Sequence, residues 1–345
     1  MSGDKKDKQL KPAKRPMLSI LEYIGYVAIE SVLRILPLKW AYLFTEGLVH
    51  LLVTFIPRVK SRMIANLHIA YGSDLPEKDM LELLDRSVKY HAWFIADMVL
   101  APYLLKKARY SEAVDASETI VAMREAGVYS DKGILLVSSH QGAPDIISLS
   151  LGQKGFPLAV VARPLDNPHI QRRVSRVRES YRRIQISKTG ALRPAYRHLK
   201  DKGIIGIQID QDAGPAGLFV PYFSKLASTH SGPGTLANLT DAQVLMVFCI
   251  RTKPRSFSFK LYTKPLSKVQ LREIDESEDA ILSITRVMTE EIETMARRFP
   301  EQVMWAHRRW KTRPPQESAE TRVSGKPYSP PIEASQKRNR PTAGV

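Results

Sequence analysis

Residues 133–145 read GILLVSSHQGAPD, and this stretch decides the fold. The run Gly133–Ser138 is apolar apart from its last residue, which is typical of a strand buried on both faces of a parallel sheet. Pro144 suits the first turn of a helix, so we expect a helix over Pro144–Gly152 directly after the strand. His140 then lies at the carboxyl end of a central strand, where α/β proteins bind their ligands.

Similar apolar runs recur along the chain, and segments with helical periodicity lie between them. Strand alternating with helix predicts an α/β protein with a mostly parallel central sheet flanked by helices. The predicted strands are Gly133–Ser138, Leu158–Ala162, Ile204–Ile209 and Val244–Ile250, with Ser256–Tyr262 as an edge strand. The other predicted helices are Lys60–Leu100 with a break near Gly72–Pro76, Glu112–Ala126, Pro168–Arg183, Leu192–Lys202, Gly232–Asp241 and Ser277–Phe299.

His140 and Asp145 are the candidate catalytic pair. Asp145 falls in the first turn of the predicted helix, where its carboxylate could hold the imidazole tautomer and stabilise the protonated ring. The other ring nitrogen is then free to take a proton from an alcohol, which predicts a general base for acyl transfer. No G-x-S-x-G nucleophile elbow occurs in the sequence, which argues against a serine hydrolase. Spacing alone favours a structural role for His140, and its position after a buried strand makes the catalytic role equally compatible with the pattern.

Three further charged residues follow predicted strands. Asp210 and Asp212 lie on one side of the chain and could assist His140, although a simple turn also fits them. Arg163 suits bidentate binding of a phosphate, and a surface salt bridge is the alternative. Two carboxylates without a clear third ligand are too few to form a good metal site, so we predict no metal and no other cofactor.

The N-terminal region predicts contact with a membrane. The apolar stretch Met17–Leu36 repeats polar residues every four positions, which places Glu22, Glu30 and Arg34 on one helical face. These charges make a plain spanning helix costly, so a helix in the membrane interface, or one with its polar stripe against protein, is favoured. Ordinary buried helices are the alternative. Trp40–Ile56 has a similar pattern.

The chain is expected to divide into four parts. They are a disordered basic tail (1–16), membrane-associated helices (17–58), one catalytic domain (59–313) and a disordered C-terminal tail (314–345). Near the end of the domain, Trp305 and Trp310 flank a His-Arg-Arg sequence. This composition suits a membrane interface, and core packing of one tryptophan is the alternative.

The formal net charge of +17 indicates a polyanionic partner. Arg163–Lys202 contains twelve Lys/Arg and three Asp/Glu, a local net charge of +9. An acidic protein, an anionic lipid and a nucleic acid would all suit such a surface. The sequence has no zinc-finger or RNA-recognition pattern, which disfavours nucleic acid. Cys249 is the only cysteine, so an intramolecular disulfide is excluded.

Several blocks of sequence, taken in order, resemble one family. They are RMIANLHIA at 62–70, HQGAPD at 140–145, RPLDNPHI at 163–170, DQDAGPAGLFVP followed by YFSKLASTHSGPGTLA at 210–237, and MWAHRRWKTRP at 304–314. Together they resemble the late acyltransferases of lipid A biosynthesis, with which the bacterial mannoside acyltransferases are grouped. The second block matches the H-x4-D/E motif of that family, although many members have an ending such as Asn-Trp-Glu where this chain has Ala-Pro-Asp.

The resemblance implies transfer of a fatty acyl chain from an acyl-acyl carrier protein to a hydroxyl of a lipid A precursor. It places the reaction at the cytoplasmic face of the bacterial inner membrane, in contact with the membrane lipids. A phospholipid or mannoside-type acceptor, and coenzyme A as the donor, are the nearest alternatives. The implied catalytic residues are His140, Asp145 and Asp210, and the implied substrate-binding residues are Arg163, Arg178 and Asp212.

Overall fold

The computed structural model describes residues 16–128, 131–267, 271, 279–315 and 317. Its helices are α1 (Pro16–Ile35), α2 (Leu38–Phe55), α3 (Pro57–Tyr71), α4 (Glu77–Leu104), α5 (Ser117–Glu125), α6 (Pro144–Gln153), α7 (Pro168–Glu179), α8 (Leu192–Lys200), α9 (Gly232–Leu239) and α10 (Ala280–Arg298). Its strands are β1 (Val114–Asp115), β2 (Ile134–Ser138), β3 (Leu158–Ala162), β4 (Ile184–Ser187), β5 (Ile204–Gln208), β6 (Leu218–Tyr222), β7 (Lys225–Thr229), β8 (Gln243–Arg251) and β9 (Phe259–Leu266). The expected tails, 1–16 and 314–345, fall almost entirely outside the described residues.

Seven of the strands form one sheet in the order β1-β9-β8-β2-β5-β3-β4. The five strands from β8 to β4 are parallel, whereas β9 runs antiparallel to β8. The prediction of a mostly parallel α/β sheet flanked by helices is therefore confirmed. Because the carboxyl ends of the parallel strands share one edge, the residues that follow β2, β3 and β5 are brought together there.

Alternate residues of the central strand pack into two separate apolar layers, one on each face of the sheet. Leu135 and Val137 join a cluster that includes residues of α3 and α10. Ile134 and Leu136 join a second cluster that includes residues of α4 and α6. Burial on both faces explains why the strand sequence is continuously apolar, with no alternation of polar residues.

Two of the predicted elements illustrate how bounds and neighbours in the structure differ from those expected, and a hairpin is additional. The helix expected over Pro168–Arg183 ends at Glu179, and the chain turns at Arg182 (φ +56°) to begin β4. The edge strand expected over 256–262 is β9, which starts three residues later and has the two-residue β1 on its outer side. The hairpin of β6 and β7 was not predicted.

The first helix, α1, exposes its apolar face and packs its polar stripe against the protein. Apolar side chains such as Leu21 and Ile24 are 60% and 57% exposed, whereas Glu30 is 2% exposed. Glu30 accepts hydrogen bonds from both Nε and Nη2 of Arg173 on α7, at 2.8 and 2.9 Å, and from Tyr103 Oη at 2.6 Å. Among the described residues, α1 is the only single helix long and apolar enough to cross a bilayer. It is therefore a candidate membrane-associated helix, and this arrangement is one of the two that the sequence favoured.

The segment with two tryptophans lies in the core, which corrects the expectation of a membrane interface. Trp305 and Trp310 are both buried. Their rings pack against Phe223 at centroid distances of 5.8 and 6.5 Å, in the hairpin turn between β6 and β7. The alternative of core packing thus holds for both side chains.

We predict that Glu30→Ala lowers the free energy of unfolding by about 1–3 kcal/mol, because Arg173 and Tyr103 lose a buried acceptor. Chemical denaturation of the protein in detergent micelles measures this loss. Glu82→Ala, which removes an exposed carboxylate from α4, is the matched control. Equal stability of the two variants would show that the buried contact does not hold α1 to α7.

Candidate active site

The loop that carries His140 is fixed by a glycine. Gly142 has a φ of +64°, and a Cβ atom at this position would lie 2.1 Å from the carbonyl oxygen of Cys249. The close approach allows the N–H of Gly142 to bond the carbonyl of Gln302 and the N–H of Ala143 to bond that of Cys249, both at 2.9 Å. The loop is thereby held against the end of β8, with His140 at the carboxyl edge of the sheet.

His140 is bound twice by the carboxylate of Asp210. Its backbone N–H donates to Oδ2 at 2.8 Å, and its ring Nδ1 lies 2.7 Å from Oδ1. Since a carboxylate only accepts, Nδ1 carries the proton and Nε2 of the neutral ring is an acceptor. The sequence predicted Asp145 as the partner in this contact; the structure corrects that prediction, because the partner is Asp210.

The strand register explains why Asp210 is the partner. Ser138 of β2 is paired with Gln208 of the neighbouring parallel strand β5. His140 and Asp210 each lie two residues beyond this pair, so both side chains leave adjacent strands at the same level. A carboxylate 70 positions away in sequence is thus brought closer than one five positions away.

The surroundings of His140 favour its protonated form. Burial opposes the charge, but the charge and hydrogen bond of Asp210, together with the charge of Asp145, outweigh burial and raise the pKa of the imidazole. Burial also opposes ionisation of Asp210, yet contact with His140 holds the pKa of that carboxyl below its usual value. The pair therefore stabilises an imidazolium, which a general base becomes when it takes up a proton.

Asp145 faces two arginines instead of the histidine. Its Oδ1 lies 3.1 Å from Nη2 of Arg178 and 2.6 Å from Nη1 of Arg183. Burial opposes ionisation of Asp145, and the two guanidinium groups outweigh it and lower the pKa of the carboxyl. Arg178, predicted to bind substrate, is thus engaged by Asp145 in this structure, and Arg183 is a partner that the sequence analysis did not single out.

The second ring nitrogen of His140 meets a glutamine. Nε2 of Gln211 lies 3.1 Å from Nε2 of His140 and 3.1 Å from Nε2 of His307. A side-chain amide has two N–H groups, so Gln211 can donate to both rings at once. A hydroxyl that reaches Nε2 of His140 must take the place of this amide. Neither Gln211 nor His307 was predicted at the site, because their positions depend on how the loops meet.

The two remaining predicted residues lie apart from the pair. Asp212 accepts hydrogen bonds from the backbone N–H and the hydroxyl of Thr312, at 3.1 and 2.9 Å, and so secures the C-terminal segment. Arg163 is 72% exposed and forms an ion pair with Asp166. This is the surface salt bridge that the sequence left open, although Arg163 also lines a cavity shared with His140.

Two cavities adjoin His140 and differ greatly in size. The cavity on the side of α4 has a volume of about 10 Å³, which is too small for more than a single water molecule. The other cavity has a volume of about 700 Å³, within the range of small-molecule sites. Of these two, the larger cavity is the one that can admit a small molecule beside His140. Within the described ranges, no cluster of three or more His, Cys, Asp or Glu side chains could hold a metal ion.

Comparison with known proteins places this arrangement within a family. The mostly parallel sheet carries a histidine–carboxylate centre at its carboxyl edge, and relatives of similar sequence are named as acyltransferases. The chain belongs to the family of bacterial lipid A biosynthesis acyltransferases, whose model matches residues 11–312.

Individual relatives are similar over about half of the chain. The lipid A biosynthesis lauroyltransferase of Escherichia coli is 31% identical over 193 residues, which cover 53% of this chain and 58% of the relative. The palmitoleoyltransferase of the same organism is 29% identical over 195 residues, 55% of this chain and 59% of the relative. The phosphatidylinositol mannoside acyltransferase of Mycolicibacterium smegmatis is 24% identical over 233 residues, 66% and 74% of the two chains. The chain thus spans less than two thirds of the length of the E. coli relatives.

We predict that the pKa of His140 lies above the usual value of about 6.5 and falls in Asp210→Asn, because the variant loses both the charge and the ionic hydrogen bond. Asp145→Asn lowers the pKa less, since it removes only a more distant charge. Nuclear magnetic resonance titration of the histidine Cε1–H signals, assigned with His140→Ala, measures both shifts. A larger fall in Asp145→Asn than in Asp210→Asn would contradict the assignment of Asp210 as the principal partner.

Proposed function

We propose that this protein transfers a fatty acyl chain from an acyl-acyl carrier protein to a hydroxyl of a lipid A precursor, a secondary acylation. The observation that carries the proposal is the setting of His140, whose Nδ1 is held by Asp210 and which lines the large cavity. Family membership supports a lipid acceptor. The acceptor, the donor and the residue roles are inferences from that setting and that membership.

In the proposed reaction, the acceptor hydroxyl attacks the carbonyl carbon of the acyl thioester. Nε2 of His140 takes the hydroxyl proton as the new C–O bond forms, a contribution of roughly 10²–10⁴-fold in rate. Asp210 stabilises the resulting imidazolium through Nδ1. When the tetrahedral intermediate collapses, the C–S bond breaks and the thiolate takes the proton from His140. No covalent bond to the enzyme forms at any step.

Asp145 acts indirectly in this proposal. Its contacts with Arg178 and Arg183 fix α6 to the end of α7. Its negative charge adds to that of Asp210 and helps His140 accept a proton. The H-x4-D spacing would thus supply a positioning residue and a source of charge, while the carboxylate in contact with the base comes from the neighbouring strand.

The basic surface suits both proposed substrates. Acyl carrier proteins and phosphorylated glycolipids are acidic, and the +9 segment Arg163–Lys202 borders the cavity through Arg163 and Lys188. We propose that Arg163 and Arg178 contribute to substrate binding through this field. The mannoside acyltransferase among the relatives favours a different glycolipid as the second candidate acceptor. A nucleic acid would leave the exposed apolar face of α1 without a role.

We further propose that the protein is bound to the cytoplasmic face of the bacterial inner membrane. The exposed apolar face of α1 supports insertion into lipid. Residues 1–15 contain six Lys/Arg and two Asp, and such a cluster next to an apolar helix favours the cytoplasmic side.

The decisive test is lipid mass spectrometry in a host that lacks its own late lipid A acyltransferase. The wild-type gene is expected to add the mass of one acyl chain to lipid A. His140→Ala is expected to add none, because turnover falls by roughly 10²-fold or more. Immunoblotting confirms equal amounts of both proteins. Unchanged lipid A with the wild type would reject this acceptor, and the same extract would then be searched for another acylated lipid.

The two aspartates are expected to affect turnover unequally. Asp210→Asn should lower kcat by roughly 10²–10⁴-fold, because the imidazole loses both its tautomer control and its counter-charge. Asp145→Asn should lower kcat less, and the exposed Asp201→Asn should leave it unchanged. Steady-state kinetics on the purified variants in detergent micelles compares them. If kcat fell more in Asp145→Asn than in Asp210→Asn, Asp145 would be the direct partner of His140 and this assignment would be wrong.

A further inference from the structure

The large cavity beside His140 has a basic pair in its wall. Lys188 directly follows β4, and His230 directly follows β7, so each leaves a different strand. Nζ of Lys188 lies 3.2 Å from Nε2 of His230. An ammonium group only donates, so His230 accepts with Nε2 and is the neutral imidazole in this contact. The fold therefore brings two groups that can each be cationic into direct contact.

Among the described residues that line the cavity, none is an aspartate or a glutamate, so the pair has no acidic neighbour among them. Burial, followed by the positive charges of Lys188 and Arg309, lowers the pKa of His230, and the more distant Asp210 and Asp212 do not compensate. With His230 neutral the contact is an ordinary hydrogen bond, but protonation of His230 would place two like charges in contact, and an anion shared between them would stabilise that state.

The remaining walls of the cavity are largely aliphatic. They include Val161 at the end of β3, Ile207 at the end of β5 and Leu236 on α9. A cavity with apolar walls and a few convergent polar groups is typical of a site that binds an amphipathic molecule. His140 lies on the wall of the same cavity, so a ligand bound to the basic pair shares this space with the base.

We propose that Lys188 and His230 form a binding site for a phosphate group of the substrate. A phosphate oxygen can accept from the ammonium of Lys188, and a second oxygen can accept from Nε2 of His230 once that ring takes up a proton. Arg163, exposed at the same cavity and already paired with Asp166, is the weaker candidate for this contact.

The inference rests on the proposed acyl transfer and makes it more specific, because both proposed substrates carry phosphate. A phosphorylated glycolipid acceptor has phosphate monoesters on its sugars, and a carrier-protein donor has a phosphodiester in its phosphopantetheine arm. The shared chemistry is an anionic phosphate ester held in the cavity while the reacting groups meet at His140.

The variants Lys188→Gln and His230→Gln test the site by steady-state kinetics on the full chain in detergent micelles. Each should raise the KM of one substrate by roughly 10-fold, the effect of losing one charge-assisted hydrogen bond, with kcat changed much less. A higher KM for the glycolipid assigns the acceptor phosphate, and a higher KM for the acyl donor assigns the phosphopantetheine. Lys188→Arg, which keeps the charge and the donors, should restore most of the loss.

The control is Lys78→Gln, which removes an exposed lysine of α4 that lies outside the +9 segment and does not line the cavity. The proposal would be overturned if Lys188→Gln and His230→Gln left both KM values equal to those of this control. It would also be overturned if these variants lowered only kcat. Equal thermal melting of the variants and the wild type shows that folding is intact.

A second measurement separates this proposal from the proposed function. If the wild type transfers no acyl chain to the glycolipid, the ³¹P line width of inorganic phosphate is titrated against the wild type and the two Gln variants. Broadening by the wild type that is lost in both variants would support the phosphate site, even with a different reaction. Equal broadening by all three proteins would overturn it.

Discussion

The carboxylate of Asp210 binds His140 through both the backbone N–H and the imidazole, and the rest of the site is arranged around this double contact. The backbone bond fixes where the loop leaves β2, and the ring bond fixes which nitrogen is an acceptor. Both depend on the register between β2 and β5, which places the two residues at the same level. The chemistry thus depends on the pairing of two parallel strands that are distant in sequence.

This dependence explains which parts of the site could be read from the sequence. His140 could be found, because it follows a continuous apolar run at the edge where ligands bind. Its partner could not be assigned, because sequence spacing favours Asp145, and only the strand order shows that β5 lies beside β2. Asp145 is then drawn to Arg178 and Arg183, whose guanidinium groups converge from the end of α7 and the turn after it.

The elements of the fold also differ in how well the sequence predicts them. Buried parallel strands such as Leu158–Ala162 were predicted to within one or two residues, since burial on both faces demands a continuous apolar run. The hairpin of β6 and β7 gave no such signal. Its turn is formed by Phe223 and Ser224, both with positive φ, where Asn-Gly or Asp-Gly would normally mark a two-residue turn. The packing of Phe223 against Trp305 and Trp310 provides a tertiary reason for that unusual turn.

The helix α7 connects the candidate membrane-associated helix α1 to the candidate site. At its start, the side chain of Asn167 caps α7 and donates to the carbonyl of Ser19 on α1. Further along, Arg173 binds the buried Glu30 of α1, and near its end Arg178 binds Asp145. One helix therefore contacts both α1 and Asp145, the carboxylate whose charge acts on His140. Because the apolar face of α1 points away from these contacts, a bilayer that covers that face would be held at a fixed position relative to His140. For a lipid acceptor whose hydroxyl must reach one nitrogen atom, that fixed position matters as much as the base itself.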